Sequence, residues 1–137
     1  MKIFRDRKSL NKEVAGLKKL AFIPTMGALH KGHLSLIKKA KKRSKKVLVS
    51  IFVNPKQFNS KNDFKKYPRK LKNDIRILKS IKISYLYIPT YKDIYSFKPK
   101  TKIYLDNFSK ILCGKFRHFH FKGVVNVVNR FLSIIEP

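Results

Sequence analysis

Three short apolar runs punctuate the chain, and each halts at a proline. Leu20-Ala21-Phe22-Ile23 stops at Pro24, Val47 through Val53 stops at Asn54-Pro55, and Ile83 through Ile88 stops at Pro89. Runs of this length predict strands. The 47–53 run is β-branched and nearly unbroken, as a strand covered on both faces should be. A helical pattern precedes each run. Residues 9–20 have Ser9 as a candidate N-cap and Leu10, Val14 and Leu17 on one face. Residues 34–44 set Leu34, Leu36, Ile37 and Ala40 among lysines. Residues 68–80 begin at Pro68 and turn Leu71, Ile75 and Leu78 inward. Strand–helix–strand alternation calls for right-handed crossovers, so the fold class is α/β with a parallel sheet and flanking helices. A polar stretch at 56–66, a short strand at 102–105, a loop at 114–122 and a last helix at 123–135 complete the reading. That helix carries Val124, Val127, Val128, Phe131, Leu132 and Ile135 on its apolar face. No repeat and no linker divides the chain, and 137 residues suit one domain.

The charge invites a functional reading but has a plainer source. Lys and Arg number 34 against 7 Asp and Glu, a formal net charge of +27. Nearly half of the chain is Lys, Ile, Asn, Phe or Tyr, all with AT-rich codons, and Arg contributes only 7 of the cations. Arg is the better residue for bidentate recognition of phosphates and bases. Codon bias with a solvated basic surface is therefore favoured over a nucleic-acid-binding module, which stays as an alternative. With 43% apolar residues the chain has the material for a core, which excludes a disordered basic tail. Cys113 is the only cysteine, so no disulfide framework is available. No targeting segment and no run of membrane-spanning length is visible, and a cytoplasmic location is expected.

In a parallel sheet the ligand crevice lies beyond the carboxyl ends of the strands. The loops at 24–33 and 54–58 are therefore where a site should be. The first contains His30 and His33, three residues apart at the start of a helix, with Gly32 between them and Gly27 at the turn out of the strand. Two imidazoles at a helix N-terminus could donate to a triphosphate and to charge developing at its α-phosphorus. Gly32 should let a flat ligand approach the backbone. Histidines so spaced can also bind a metal or merely sit on a surface, so the flanking residues must decide.

Those flanking residues carry a resemblance. Pro24-Thr25-Met26-Gly27-Ala28-Leu29-His30-Lys31-Gly32-His33 resembles the nucleotide-binding signature of the pantoate–β-alanine ligases, members of the nucleotidylyltransferase superfamily marked by His-x-Gly-His. Val49 through Phe58, Asp63 through Arg69, and Leu112-Cys113-Gly114 through Val124 are similar to three further family blocks, in order and at family spacing. The resemblance implies a Rossmann-like sheet of nucleotidylyltransferase type and an ATP-dependent ligation through pantoyl adenylate, giving pantothenate, AMP and pyrophosphate. It implies an ATP site at Met26, Gly27, Ala28, Leu29, His30, Lys31, Gly32 and His33, with His33 in the acid role and His30 on phosphate. Gln57, Asn54, Tyr67, Arg117 and His120 would serve pantoate and β-alanine. Mg2+ would arrive with ATP as co-substrate, without a tightly bound cofactor or a protein metal site, and the family's homodimer is expected. Another adenylyl- or cytidylyltransferase of the superfamily is the alternative within enzymes.

Two departures accompany the likeness. The family commonly reads Arg-Pro-Gly-His-Phe where this chain has Arg117-His118-Phe119-His120-Phe121, and His118 is read as a loop residue. The family also continues beyond the equivalent of Pro137, through a Gly-Glu-Lys-Asp segment and a Ser-Ser-Arg loop, into a C-terminal domain. Residues 1–137 therefore match the N-terminal nucleotide-binding domain alone, truncated, and are expected to be a weak or inactive fragment by themselves. An unpaired sheet edge would then favour association.

Overall fold

Buried backbone groups need partners, and in this chain four strands supply them to one another. The computed structural model describes residues 1–99, 101 and 114–137, the side chains of 114–119 excepted. Strands β1 (Lys2–Phe4), β2 (Leu20–Thr25), β3 (Lys46–Ile51) and β4 (Tyr85–Tyr87) form one sheet in the order β1-β4-β3-β2, with every pair parallel. The helices are α1 (Arg7–Val14), α2 (Lys31–Arg43), α3 (Lys61–Lys66), α4 (Leu71–Ser80), α5 (Tyr91–Tyr95) and α6 (Gly114–Ile135). The parallel α/β expectation holds, with one strand more. β1 is too short to show a period, and it is held by Lys2 N donating to Ser84 O and Ile88 N donating to Phe4 O.

Side-chain alternation divides the core in two. Leu48, Tyr85 and Tyr87 face Leu10, Val14, Phe131 and Ile135, so α1 and α6 cover one face of the sheet. Val47, Val49, Ile51 and Leu86 face Ile37 and Leu78, so α2 and α4 cover the other. β3 is buried from Val47 to Ile51, as its unbroken apolar run requires. Among the described residues, no helix is long and apolar enough to cross a membrane.

Several sequence expectations move. The first helix starts at Arg7, not Ser9: Asp6 is its N-cap, accepting from Ser9 N at 2.8 Å and from Ser9 Oγ at 2.6 Å. β2 runs through Pro24 to Thr25 instead of stopping at the proline. Thr25 O accepts from Phe52 N, so the neighbouring Pro24 nitrogen faces the open edge of the sheet, where a missing N–H breaks no ladder. α4 starts at Leu71 rather than Pro68, because Arg69 ties the preceding turn through Phe64 O, Lys65 O and Tyr67 O. The polar stretch at 56–66 contains α3, capped by Ser60 Oγ on Asp63 N.

The expected loop at 114–122 is helical, continuous with the last helix, and His118 lies on that helix rather than in a loop. Gly123, expected to open the last helix, lies inside α6, where it serves packing. The strand expected at 102–105, and Cys113, lie outside the described residues.

Candidate active site

The loop after β2 reverses sharply and is pinned from three sides. Thr25 Oγ1 donates to Ser50 O at 2.7 Å and accepts from Gly27 N at 3.1 Å, tying the end of β2 to β3. Gly27 and Ala28 follow with φ of +79° and +49°. Glycine fits this left-handed backbone, and an added Cβ at Gly27 would sit 3.0 Å from Asp74 Oδ2. Asp74, on α4 and 1% exposed, accepts from Ala28 N and Leu29 N, both at 2.9 Å. Leu29 points away from the cleft into the cluster around Ile23 and Val49.

His30 and His33 then cap α2 reciprocally. His30 Nδ1 accepts from Gly32 N at 3.1 Å, and His33 Nδ1 accepts from His30 N at 3.4 Å. Their ring centroids are 4.1 Å apart. Each neutral ring spends Nδ1 as an acceptor, so its proton sits on Nε2, the one nitrogen left to donate. Burial and the neighbouring His30 push the His33 pKa down, while Asp74 pulls the other way. His33 is thus neutral at neutral pH, with Nε2–H as its donor. Gly32 does not offer the open approach expected of it. The His30 ring lies over it, and an added Cβ would meet His30 Cε1 at 2.9 Å.

The loop after β3 is held by a neutral network instead. Asn54 is 1% exposed. Its Oδ1 accepts from Lys56 N at 3.2 Å and from Tyr95 OH at 2.8 Å, and its Nδ2 donates to Gln57 Oε1 and Gly123 O, both at 3.3 Å. Asn54 therefore orients Gln57 rather than lining the cleft. With Oε1 engaged, Gln57 keeps its Nε2 donors for a ligand. Burial pushes the Tyr95 hydroxyl up to about 12, so it stays a donor to Asn54. α6 crosses this loop so closely that a Cβ on Gly123 would overlap Lys56 O and sit 2.8 Å from Gln57 Cα. His120, one turn earlier, has Nδ1 3.0 Å from Gln57 O. A carbonyl only accepts, so that Nδ1 carries a proton.

These loops meet at the carboxyl ends of β2 and β3, where the parallel sheet placed the crevice. A cavity of about 260 Å³ has His33 on one side, Gln57 and Tyr67 on another, and an apolar wall of Val124, Val127, Val128 and Phe131. It adjoins a cleft of about 380 Å³ that shares Met26, Gln57 and Tyr67 and adds Asp63, Lys66 and His120. Burial, then Asp74, pushes the Tyr67 phenol up, which keeps it a neutral donor. Lys31 is exposed, and the Arg117 side chain lies outside the described residues.

The family model described as pantoate-beta-alanine ligase matches residues 2–137. The chain belongs to the pantoate–β-alanine ligase family. It is 47% identical over 135 residues to a pantothenate synthetase of Francisella tularensis subsp. novicida, covering 94% of this chain and 50% of that protein. To the pantothenate synthetase of Fervidobacterium nodosum it is 44% identical over 136 residues, covering 96% and 48%. The crystal structure of a Francisella tularensis pantoate–β-alanine ligase, complexed with β-γ ATP and β-alanine, superposes with a TM-score of 0.91 at 45% identity, over 100% of this chain and 54% of that one. The enzyme from Thermus thermophilus gives 0.87 at 33%, over 100% and 50%. The chain thus spans about half the length of the curated relatives it matches.

Of the residues that the sequence singled out, His33, Gln57, Tyr67 and His120 line the cavity or its adjoining cleft and His30 lines neither; Asp74 and Tyr95, which hold the two loops, were not singled out. Neither carries a local signal: Asp74 reads as an ordinary first-turn acid of α4, and its partners lie 45 and 46 residues away.

Proposed function

We propose that this chain forms the nucleotide-binding domain of a pantoate–β-alanine ligase and carries part of its ATP-dependent chemistry. One observation supports the reading above others: His33, in the first turn of α2 after β2, and Gln57, in the loop after the adjacent β3, line one cavity. Pantoate's carboxylate oxygen attacks the α-phosphorus of ATP, the bond to the bridging oxygen breaks, and pyrophosphate leaves. The amine of β-alanine then attacks the acyl carbon, its C–O bond to phosphate breaks, AMP leaves and the nitrogen loses a proton. Neutral His33, with His30 beside it, donates Nε2–H to phosphate oxygens as charge grows on them. One such donor is worth roughly 3 kcal/mol of transition-state stabilisation.

Gln57 Nε2–H and the Tyr67 phenol suit the oxygens of a hydroxy acid without adding charge, and the valine wall suits its branched carbon body. His120 borders the adjoining cleft, where the amine would approach. Among the described residues no group of three or more His, Cys, Asp or Glu could hold a metal. By the family likeness, Mg2+ would arrive on the ATP phosphates and neutralise part of their charge. A homodimer and a cytoplasmic location accompany this proposal on the family likeness.

The deciding assay is pyrophosphate–ATP exchange by this chain. Exchange that depends on pantoate, and fails with other hydroxy acids, supports the ligase reading. Exchange with another acid points to a different adenylyltransferase of the superfamily, and no exchange with any acid removes the claim of activity for these residues.

A further inference from the structure

Asp74 is out of place for a residue that only fills space. It is 1% exposed, and among the described residues it forms no ion pair; two backbone amides are its hydrogen-bond partners. Burying an ionised carboxylate is costly unless both oxygens are satisfied, and packing alone is served as well by an apolar residue. Here the two oxygens accept from consecutive amides, Ala28 N and Leu29 N, each at 2.9 Å. Only a carboxylate presents two acceptors in that arrangement; an isosteric amide presents one acceptor and one donor.

The amides belong to a turn that does not hold itself. Ala28 has φ of +49°, a region an L residue with a side chain avoids, directly after Gly27 at +79°. The next residue, His30, begins the imidazole capping pair. Fixing Leu29 N fixes the plane from which His30, and through it His33, are projected. The same carboxylate acts on the pair electrostatically, drawing the His33 pKa upward against burial and His30.

We propose that Asp74 is the positioning residue of the His30–His33 pair: its carboxylate clamps the Gly27–Leu29 turn from which His30 caps α2, so that the His33 Nε2 donor faces the cavity. The proposal rests on the ligase reading for its catalytic consequence, but not for its structural one.

The test compares Asp74→Asn with Asp74→Glu in this chain, with two readouts. The first is amide hydrogen exchange at Ala28 and Leu29, with Val49 in β3 as an internal standard. Clamping predicts that Asp74→Asn speeds exchange at one or both turn amides about tenfold or more while Val49 is unchanged, a local opening. The second is pantoate-dependent pyrophosphate exchange, where kcat should fall about a hundredfold with little change in KM, as misplaced catalytic groups act. Asp74→Glu, which keeps both acceptors, should retain more kcat and more protection than Asp74→Asn. A space-filling role predicts the reverse order, because Asn matches Asp in volume. Wild-type protection and kcat in Asp74→Asn would overturn the assignment. So would failure of both variants to fold, which would make Asp74 a core-stability residue. If the wild-type chain lacks exchange activity, the claim of activity for these residues falls by itself, and the amide protection still decides the role of Asp74.

Discussion

The two loops that form the cavity are anchored by opposite means. The loop after β2 hangs on a buried carboxylate: Asp74 accepts from two amides of a turn with left-handed backbone. The loop after β3 hangs on a neutral amide: Asn54 is saturated by Lys56 N, Tyr95, Gln57 and Gly123, and α6 is pressed against it. The difference follows from what each loop presents. The first must orient two imidazoles whose protonation matters, and a nearby negative charge both holds the turn and biases His33. The second presents an uncharged donor, Gln57, to an uncharged part of the cavity. There a charge would cost desolvation and add nothing. The first loop should therefore be sensitive to charge and pH, the second to volume and hydrogen-bond inventory.

The largest expected effect is chemical. His33→Ala removes the donor in the cavity and should lower pantoate-dependent exchange by about 10² to 10³, with the thermal midpoint close to wild type. A variant with full exchange activity would detach the first loop from the chemistry.

Next comes the packing of the second loop. Gly123→Ala should gain about 1 kcal/mol of helix propensity. It should lose about 3 kcal/mol to overlap with the backbone at Lys56 and Gln57, which cannot rotate away. A net loss in urea unfolding of about 2 kcal/mol is the expected balance, and a stabilised variant would show that α6 is free to withdraw.

Asn54→Ala strips partners from Tyr95 OH, Gly123 O and Gln57, at about 2 kcal/mol of stability. Combined with Gln57→Ala, its effect on pantoate KM should be markedly less than additive, because Asn54 reaches the cavity only through Gln57. Strict additivity would separate the two residues.

The smallest effect is the pH response. His33 has a folded pKa below its unfolded value near 6.5, so the unfolded chain takes up that proton first as pH falls. Stability should be unaffected by His33 above that pH and decline below it, and His33→Gln should flatten that part of the curve. An unchanged slope in the variant would mean that the first loop is not the pH-sensitive one.

The outline of the site was legible because it is written locally. Pro24, one residue short of the end of β2, and Asn54-Pro55, just past β3, flag the carboxyl ends of the strands, and a parallel sheet puts ligands there. Gln57 was legible through the family pattern around it. Gly123 reads in the sequence as the start of the last helix, whereas it lies inside α6; its cause is the backbone of residues 56 and 57 passing beside it. Asp74 and Tyr95 had no signal in their own neighbourhoods. Their partners lie 45 and 46 residues away for Asp74 and 41 away for Tyr95, and contacts at that separation exist only after the sheet has formed.

Hydrophobic period and proline punctuation by themselves determined a parallel α/β chain with its crevice after the first two apolar runs. Those patterns act over a few residues and are enforced by local sterics and burial. Tertiary structure alone decided that β1 joins the sheet beside β4, that His30 and His33 spend Nδ1 on capping, and that α6 begins at Gly114 and packs its Gly123 on the loop after β3. It also put a buried carboxylate behind the histidines. Each of these depends on which distant backbone groups are left without a partner once the strands have paired, a property of the assembled fold and of no single stretch of the chain.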